Sequence, residues 1–399
     1  MIKVLKSFVV GPMEEYAPAV AAEMVRVSYT SSSAEQHMAF VAHLSRWMLA
    51  GNLSVGDLTV EVLGQYFASR RAAGYTNYRS VKSARVLCRV LASNEVVVSS
   101  TIEPTASQLV LGRFGDYLTR VKNLAAGTIT VYTGQIRPWV VARVDRQEVG
   151  FEDLIITDVH RFLAERCAGE SASSAQLCVT AVRSFLGFLH REGLALSVSA
   201  AAVPAAALCS QSALPQDLSG DSLTALLAGC DRNTATGRRD YAVMLLLSRI
   251  GLRAGEVARL ELGDMRWSAG EFLVRGKGNH LARLPLPAEV GAAVVDYLRY
   301  ARPAGSHPAV FLGHKAPHDP ISSSALSSAV ARASRRAGLG TIHAHRLRHT
   351  AATQMLRGGS SLGQVGMVLR HQRQITTAIY AKVDRDALRG ITRSWPGAL

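Results

Sequence analysis

Apolar residues recur at three- and four-residue spacing through much of the first 190 positions, the pattern of helices that each bury one stripe. The runs 47–71, 81–91, 139–167 and 180–189 all read this way, and small helical bundles are expected rather than sheets. Two of these stretches resemble each other. WMLAGNLSVGDLTVEVLGQYFASRR, from Trp47, aligns with WVVARVDRQEVGFEDLIITDVHRFLAERC, from Trp139. Asp57-Leu58 falls opposite Asp153-Leu154, and Tyr66-Phe67 opposite Phe162-Leu163. A period of about 95 residues is too long for a solenoid unit, so two related helical domains are the simpler account.

An alanine-rich stretch follows, interrupted by Ser197, Ser199 and Pro204, and reads as a linker. Beyond it 220–230 and 239–250 are helical, the first opened by Asp221 or Ser222 and the second stopped by Gly251. The texture then changes. Residues 271–275 and 280–286 alternate like strands around the turn residues Gly276-Lys277-Gly278-Asn279, which predicts a β-hairpin. Helices are expected again over 287–302, 322–337, 345–357, 361–369 and 376–383, with one more short strand at 309–312. The fold class is therefore mainly α with a small β-sheet in the C-terminal domain. The expected organisation is a helical domain over 1–104, a second over 105–193, a linker over 194–214 and a C-terminal domain over 215–399.

Composition narrows the function classes. The 399 residues suffice for several cores. Five cysteines, Cys88, Cys167, Cys178, Cys209 and Cys230, are odd in number and form no CxxC pair, which points to a reducing compartment and to neither a disulfide framework nor a zinc site. The N-terminus shows no signal-peptide cleavage pattern, and the most apolar stretch, 194–209, falls short of a membrane span. A cytoplasmic protein without membrane, metal or cofactor is expected. The formal charge is +15, and residues 215–399 hold 25 Lys and Arg against 13 Asp and Glu. Such a C-terminal domain attracts polyanions, nucleic acid foremost. Arginine outnumbers lysine 38 to 7, so a well-placed lysine is informative; only Lys277 and Lys315 occur between residues 123 and 381.

The C-terminal domain carries a set of chemical residues in a fixed order. They are Arg253 in GLRAGEVARL, Lys277 in VRGKGNH, His345 and Arg348 in HAHRLRHT, His371 in VLRHQ, and Tyr380 in TTAIY. Singly each has an ordinary structural role, but their order and spacing resemble the signature of the tyrosine recombinase (phage integrase) family. The likeness is close over 219–384, and residues 112–192 look like that family's helical core-binding domain. One residue departs: Arg370 stands where the family usually shows glycine, which bears on the turn before His371.

The resemblance implies covalent phosphoryl exchange. Tyr380 would attack the scissile phosphate to leave a 3′-phosphotyrosine and a free 5′-hydroxyl, conserving the bond energy for rejoining without ATP. Arg253 and Arg348 would hold the nonbridging oxygens with planar forks. His345 would accept the tyrosine proton, His371 would hydrogen-bond the phosphate, and Lys277 would protonate the leaving oxygen. Glu256, one turn after Arg253, would pair with an active-site cation. Lys122, Arg137, Arg143, Arg183, Arg332 and Arg370 are candidate DNA contacts.

The family's scheme also implies two specific double-stranded DNA sites, a homo-tetramer, a Holliday junction and room for accessory DNA-bending proteins, and the duplicated N-terminal unit points towards an integrase or transposase of a mobile element. The first helical domain is then an additional core-binding-like unit. A type IB topoisomerase-like relaxing enzyme and a non-catalytic DNA-binding regulator are the alternatives. The tail after Tyr380, with Leu388, Ile391 and Trp395, suits docking on a neighbouring subunit or on its own domain equally.

Overall fold

The computed structural model describes residues 9–78, 80–96, 98, 103–146, 149–195, 197–203, 217–276, 281–305 and 307–370. Lys277, His371, Tyr380, the hairpin turn 277–279, the expected helix 376–383 and the chain beyond it lie outside the described residues. The chain divides into two compact units, one drawn from residues 1–99 and 214–399, the other from 100–213.

In the first unit, α1 (Ala17–Arg26), α2 (Ser31–Ala50), α3 (Val60–Ala72) and α4 (Arg85–Ser93) form a bundle. Thr30 and Thr59 cap α2 and α3 by accepting the backbone N–H of Ser33 and Val62. The bundle closes on its own core, which includes Met24, Leu44, Phe40, Tyr66, Phe67 and Leu87. Trp47, at the end of α2, meets Tyr66 of α3 edge to face at 5.4 Å.

The second unit repeats this order with α5 (Ala106–Arg120), α6 (Ala126–Val140), α7 (Ile156–Cys167) and α8 (Ala172–Arg191). Trp139, at the end of α6, stacks on Phe162 of α7 at 4.9 Å. Leu58 and Leu154 are buried just before the third helix of each set, and Tyr66-Phe67 and Phe162-Leu163 are buried within it. The internal likeness of the sequence thus corresponds to equivalent packing positions. Pro138 lies inside α6 and is followed by a π-helical turn at Val141–Arg146, the local adjustment a proline within a helix calls for. The helix α8 is long and apolar enough to cross a membrane by composition, but its apolar face, from Cys178 to Leu189, is buried in this core.

The segment expected as linker is partly structural. Ala195, Val198 and Val203 are buried in the second core. Ser197 donates to the Leu154 carbonyl at 2.9 Å, and Arg183 donates to the Val203 carbonyl at 2.6 Å. Small apolar residues at this spacing find room against α8, so Ala195, Val198 and Val203 belong to the second core and not to a linker.

The C-terminal part is built around α10 (Ala235–Arg249), buried almost throughout, with α9 (Gly220–Ala228), α11 (Ala254–Ala258), α12 (Ala288–Tyr300), α13 (Ser323–Arg336), α14 (Ala344–Arg357) and α15 (Leu362–Leu369) around it. The cap of α9 is Ser219, not Asp221 or Ser222: its hydroxyl accepts the Ser222 N–H at 3.1 Å. Strands β1 (Met265–Arg266), β2 (Glu271–Arg275) and β3 (Leu281–Pro285) form an antiparallel sheet in that order. Its register ends on Arg275 opposite Leu281, so Lys277 falls in the intervening connection. Residues 309–312 are not a strand. They make only single bridges, Ala309 with Glu261 and Leu312 with Pro320, because Val310, Phe311 and Leu312 are buried as packing, with Phe311 stacked on Tyr297 at 5.4 Å.

Candidate active site

Three segments far apart in sequence meet around one carboxylate. The first begins where α10 ends. Gly251 has φ +73°, and a Cβ there would lie 2.5 Å from a Leu369 methyl, so the position requires glycine on both conformational and steric grounds. Gly251→Ala is expected to cost about 2–3 kcal/mol, combining left-handed strain with overpacking; a denaturant titration of the variant measures it. The chain then turns into α11, whose N-cap is Arg253. The Arg253 backbone N–H donates to Glu256 Oε2 at 2.8 Å, and its guanidinium to Oε1 at 2.9 Å. Glu256 therefore closes the helix start and holds the arginine at once.

The second segment is α14, which carries His345, Arg348 and His349 on one face at i, i+3 and i+4. Arg348 is 1% exposed. Its Nη1 donates to the Gly251 carbonyl and its Nη2 to the Leu369 carbonyl, and Nη1 lies 4.0 Å from Glu256. The third segment is the end of α15, where Arg370 takes a left-handed conformation, φ +53°. Arg370 Nη2 reaches Glu256 Oε2 at 2.7 Å. Glycine fits that backbone without strain; arginine accepts a cost of about 1 kcal/mol there.

Glu256 is 2% exposed and is shared by Arg253, Arg348 and Arg370. Burial alone would push its carboxyl up, but the Arg253 N–H, the Arg370 charge and the Arg253 guanidinium outweigh that and hold it below the usual carboxylate range. Among the described residues, three cations stand against this one anion, a surplus of two positive charges. Arg253, its side chain 43% exposed, brings that surplus to the surface. An arrangement of this kind suits an anionic group whose charge grows during reaction.

His345 is solvent-accessible at the first turn of α14, and its ring meets that of His349 at 4.2 Å. Partial desolvation, then the charges of Arg348 and Arg253, lower its pKa, so the ring is neutral near pH 7 and able to accept a proton. His349 was not singled out in the sequence, although it lies one turn beyond His345. Burial, His345 and Arg348 push it down to about 4.

A histidine kept neutral by the fold stabilises the native state fully above its unfolded pKa, near 6.5, and loses that contribution as pH falls towards the folded value. Stability is therefore expected to decline between pH 6.5 and about 4, by up to roughly 3 kcal/mol from His349. Melting curves across that window test this, and His349→Gln should flatten the slope.

The end of β2, two residues before Lys277 in the sequence, is held by ion pairs. Arg275 pairs with Asp264 at 2.6 Å and Glu261 at 3.4 Å, while Arg259 donates to the Arg275 carbonyl at 3.1 Å. Of the expected DNA contacts, Lys122, Arg137 and Arg332 are exposed. Arg143 and Arg183 are committed to protein groups instead: Arg143 donates to the Gly150 carbonyl and pairs with Asp158, and Arg183 holds Val203. Arg370 is bound to Glu256. For Arg183 and Arg370 the acceptors, the Val203 carbonyl and Glu256, belong to buried residues that would otherwise lose a partner.

Known proteins resemble this chain over most of its length. The model of the phage integrase family matches residues 216–386, and that of the phage integrase N-terminal SAM-like domain matches residues 111–193. A Sinorhizobium fredii protein named as an integrase/recombinase is 36% identical over 97% of this chain and 95% of its own length. Tyrosine recombinase XerC of Bacillus pumilus is 30% identical over 71% of this chain and 95% of its own. Among solved structures, XerH recombinase in a post-cleavage complex with a palindromic difH substrate aligns with TM-score 0.56 at 17% identity, over 82% of this chain and 93% of that one. A lambda integrase tetramer bound to a Holliday junction aligns with TM-score 0.54 at 16% identity, over 85% and 88%.

Proposed function

Because the chain belongs to the phage integrase family of tyrosine recombinases, enzymes that break and rejoin DNA, we propose that the cluster around Glu256 is its phosphate site and Tyr380 its nucleophile. The observation that carries this reading is the surplus of two positive charges that Arg253, Arg348 and Arg370 leave around buried Glu256. Arg253, whose guanidinium is exposed, stabilises the nonbridging oxygens as charge builds, and buried Arg348 adds its positive charge from behind while holding the Gly251 and Leu369 carbonyls. Tyr380 Oη attacks phosphorus, and its proton passes to neutral His345. The bond from phosphorus to the 5′-oxygen breaks, and Lys277 supplies the proton that the leaving oxygen takes. His371 hydrogen-bonds the phosphate. The product is a 3′-phosphotyrosine, which a 5′-hydroxyl from a second duplex reverses.

In this reading the substrate is a pair of specific duplex sites, engaged by a tetramer through a Holliday junction, the junction to which a lambda integrase tetramer binds. Integration or transposition of a mobile element is the use we assign to it, and the first helical bundle extends the protein's hold on DNA or on neighbouring protomers.

The test uses duplexes built from inverted repeats in the DNA flanking the gene, nicked beside the cleavage point so that the short strand diffuses away. Without added metal or ATP, a covalent adduct is expected, with the DNA-linked peptide containing Tyr380. Absence of an adduct on every such duplex would refute the reading. Efficient relaxation of supercoiled plasmid lacking the repeats would favour a topoisomerase instead.

A further inference from the structure

Arg370 sits on a backbone that disfavours any side chain, at φ +53°, yet it does not turn to solvent. Its side chain is 13% exposed; Nη2 holds Glu256 Oε2 at 2.7 Å and Nη1 the Val368 carbonyl at 3.1 Å. The same Oε2 accepts the Arg253 backbone N–H, while Oε1 takes the Arg253 guanidinium. Arg348, for its part, bonds both the Gly251 and Leu369 carbonyls. Two guanidinium groups thus tie the end of α15 to residues 251–256. Arg253 engages both oxygens but belongs to the same helix start as Glu256; Arg370 adds a second bond to Oε2 from the end of α15, so the carboxylate is anchored across the site and not only within its own turn.

We propose that Arg370 is a positioning residue for strand cleavage, which acts through Glu256 to aim the Arg253 guanidinium and to fix the point where the chain leaves α15, and which does not itself contact DNA. This replaces the phosphate contact expected of it from sequence, and it rests on the cleavage reading above. The arginine accepts an unfavourable backbone because the tie across the site requires a long cationic side chain at that position. Lysine there would supply the charge without the planar fork, so it would restore only part of the effect.

The experiment compares the full-length protein with Arg370→Gly, Arg370→Lys, Glu256→Gln and the Arg370→Gly/Glu256→Gln double variant. Affinity for a random-sequence duplex is measured across a salt series, and the rate of covalent adduct formation is measured at saturating nicked duplex. Arg370→Gly is expected to weaken duplex binding by no more than about threefold with the salt slope of the parent, and to form adduct roughly 10- to 100-fold more slowly, the scale of a small misplacement at a reacting centre. Arg370→Lys should fall between it and the parent, and it carries the test if the glycine variant does not fold. The double variant should be no slower than Glu256→Gln, since both changes remove one linkage. Weaker binding with a salt slope reduced by about one contact would overturn the proposal in favour of direct phosphate contact. An unchanged cleavage rate in Arg370→Gly would overturn it in favour of a purely structural role. Failure of the parent protein to form adduct would refute the cleavage reading itself, a result distinct from parent and variant reacting alike.

Discussion

Tyr380→Phe is expected to bind DNA within about twofold of the parent protein and to form covalent adduct at least about a thousandfold more slowly, the scale of deleting a covalent nucleophile. The substitution removes one oxygen and leaves the ring, so packing and duplex affinity have no reason to change. Chemistry has every reason to change. The surplus of positive charge around Glu256 and neutral His345 would still receive the phosphate, but nothing would attack it. Trapping on nicked duplex, followed by denaturing electrophoresis, separates the two effects. Adduct formation by the variant at the parent rate would remove Tyr380 from the mechanism while leaving the arginine cluster unaffected.

Glu256→Gln is expected to lower the stability of the catalytic part by about 3–5 kcal/mol, the usual consequence of deleting one partner from a buried ionic group. Glutamine preserves the volume and one acceptor oxygen, so cavity formation contributes little. What remains is Arg348, 1% exposed, and Arg370, 13% exposed, with their shared counter-charge gone. At roughly 2–4 °C per kcal/mol for a domain of this size, the melting midpoint should fall by about 10 °C. Cleavage should fall too, because Arg253 loses the acceptor that orients its guanidinium. A variant that melts with the parent would show that the carboxylate is not the centre of the cluster.

Sequence patterning anticipated the helices as far as residue 369 and the two strands that flank Lys277, and it singled out the ordered set from Arg253 to Tyr380, because each depends on periodicity, turn chemistry or motif spacing. It did not reveal how the set is wired. Glu256 was expected to meet one cation and meets three, and Arg348 was expected to offer its fork to phosphate yet spends donors on the Gly251 and Leu369 carbonyls. Apart from Arg253 and Glu256, which are three positions apart, these bonds join residues 21 to 114 positions apart, a separation that no local pattern encodes. The same limit hid His349, whose low pKa comes from burial and neighbours brought by folding. It also hid the packing of residues 195–203: an alanine-rich stretch carries no period that distinguishes a linker from a strap on a core.

The concealment of Arg348 has a consequence for how salt affects the enzyme. Mobile ions screen charges that face water and have little access to a guanidinium enclosed by Gly251, Leu369 and Glu256. Raising ionic strength should therefore make productive encounters with DNA rarer, through counterion release, while the rate of strand breakage once DNA is seated changes far less. Salt would regulate how often the enzyme begins a reaction and leave how fast it finishes nearly untouched.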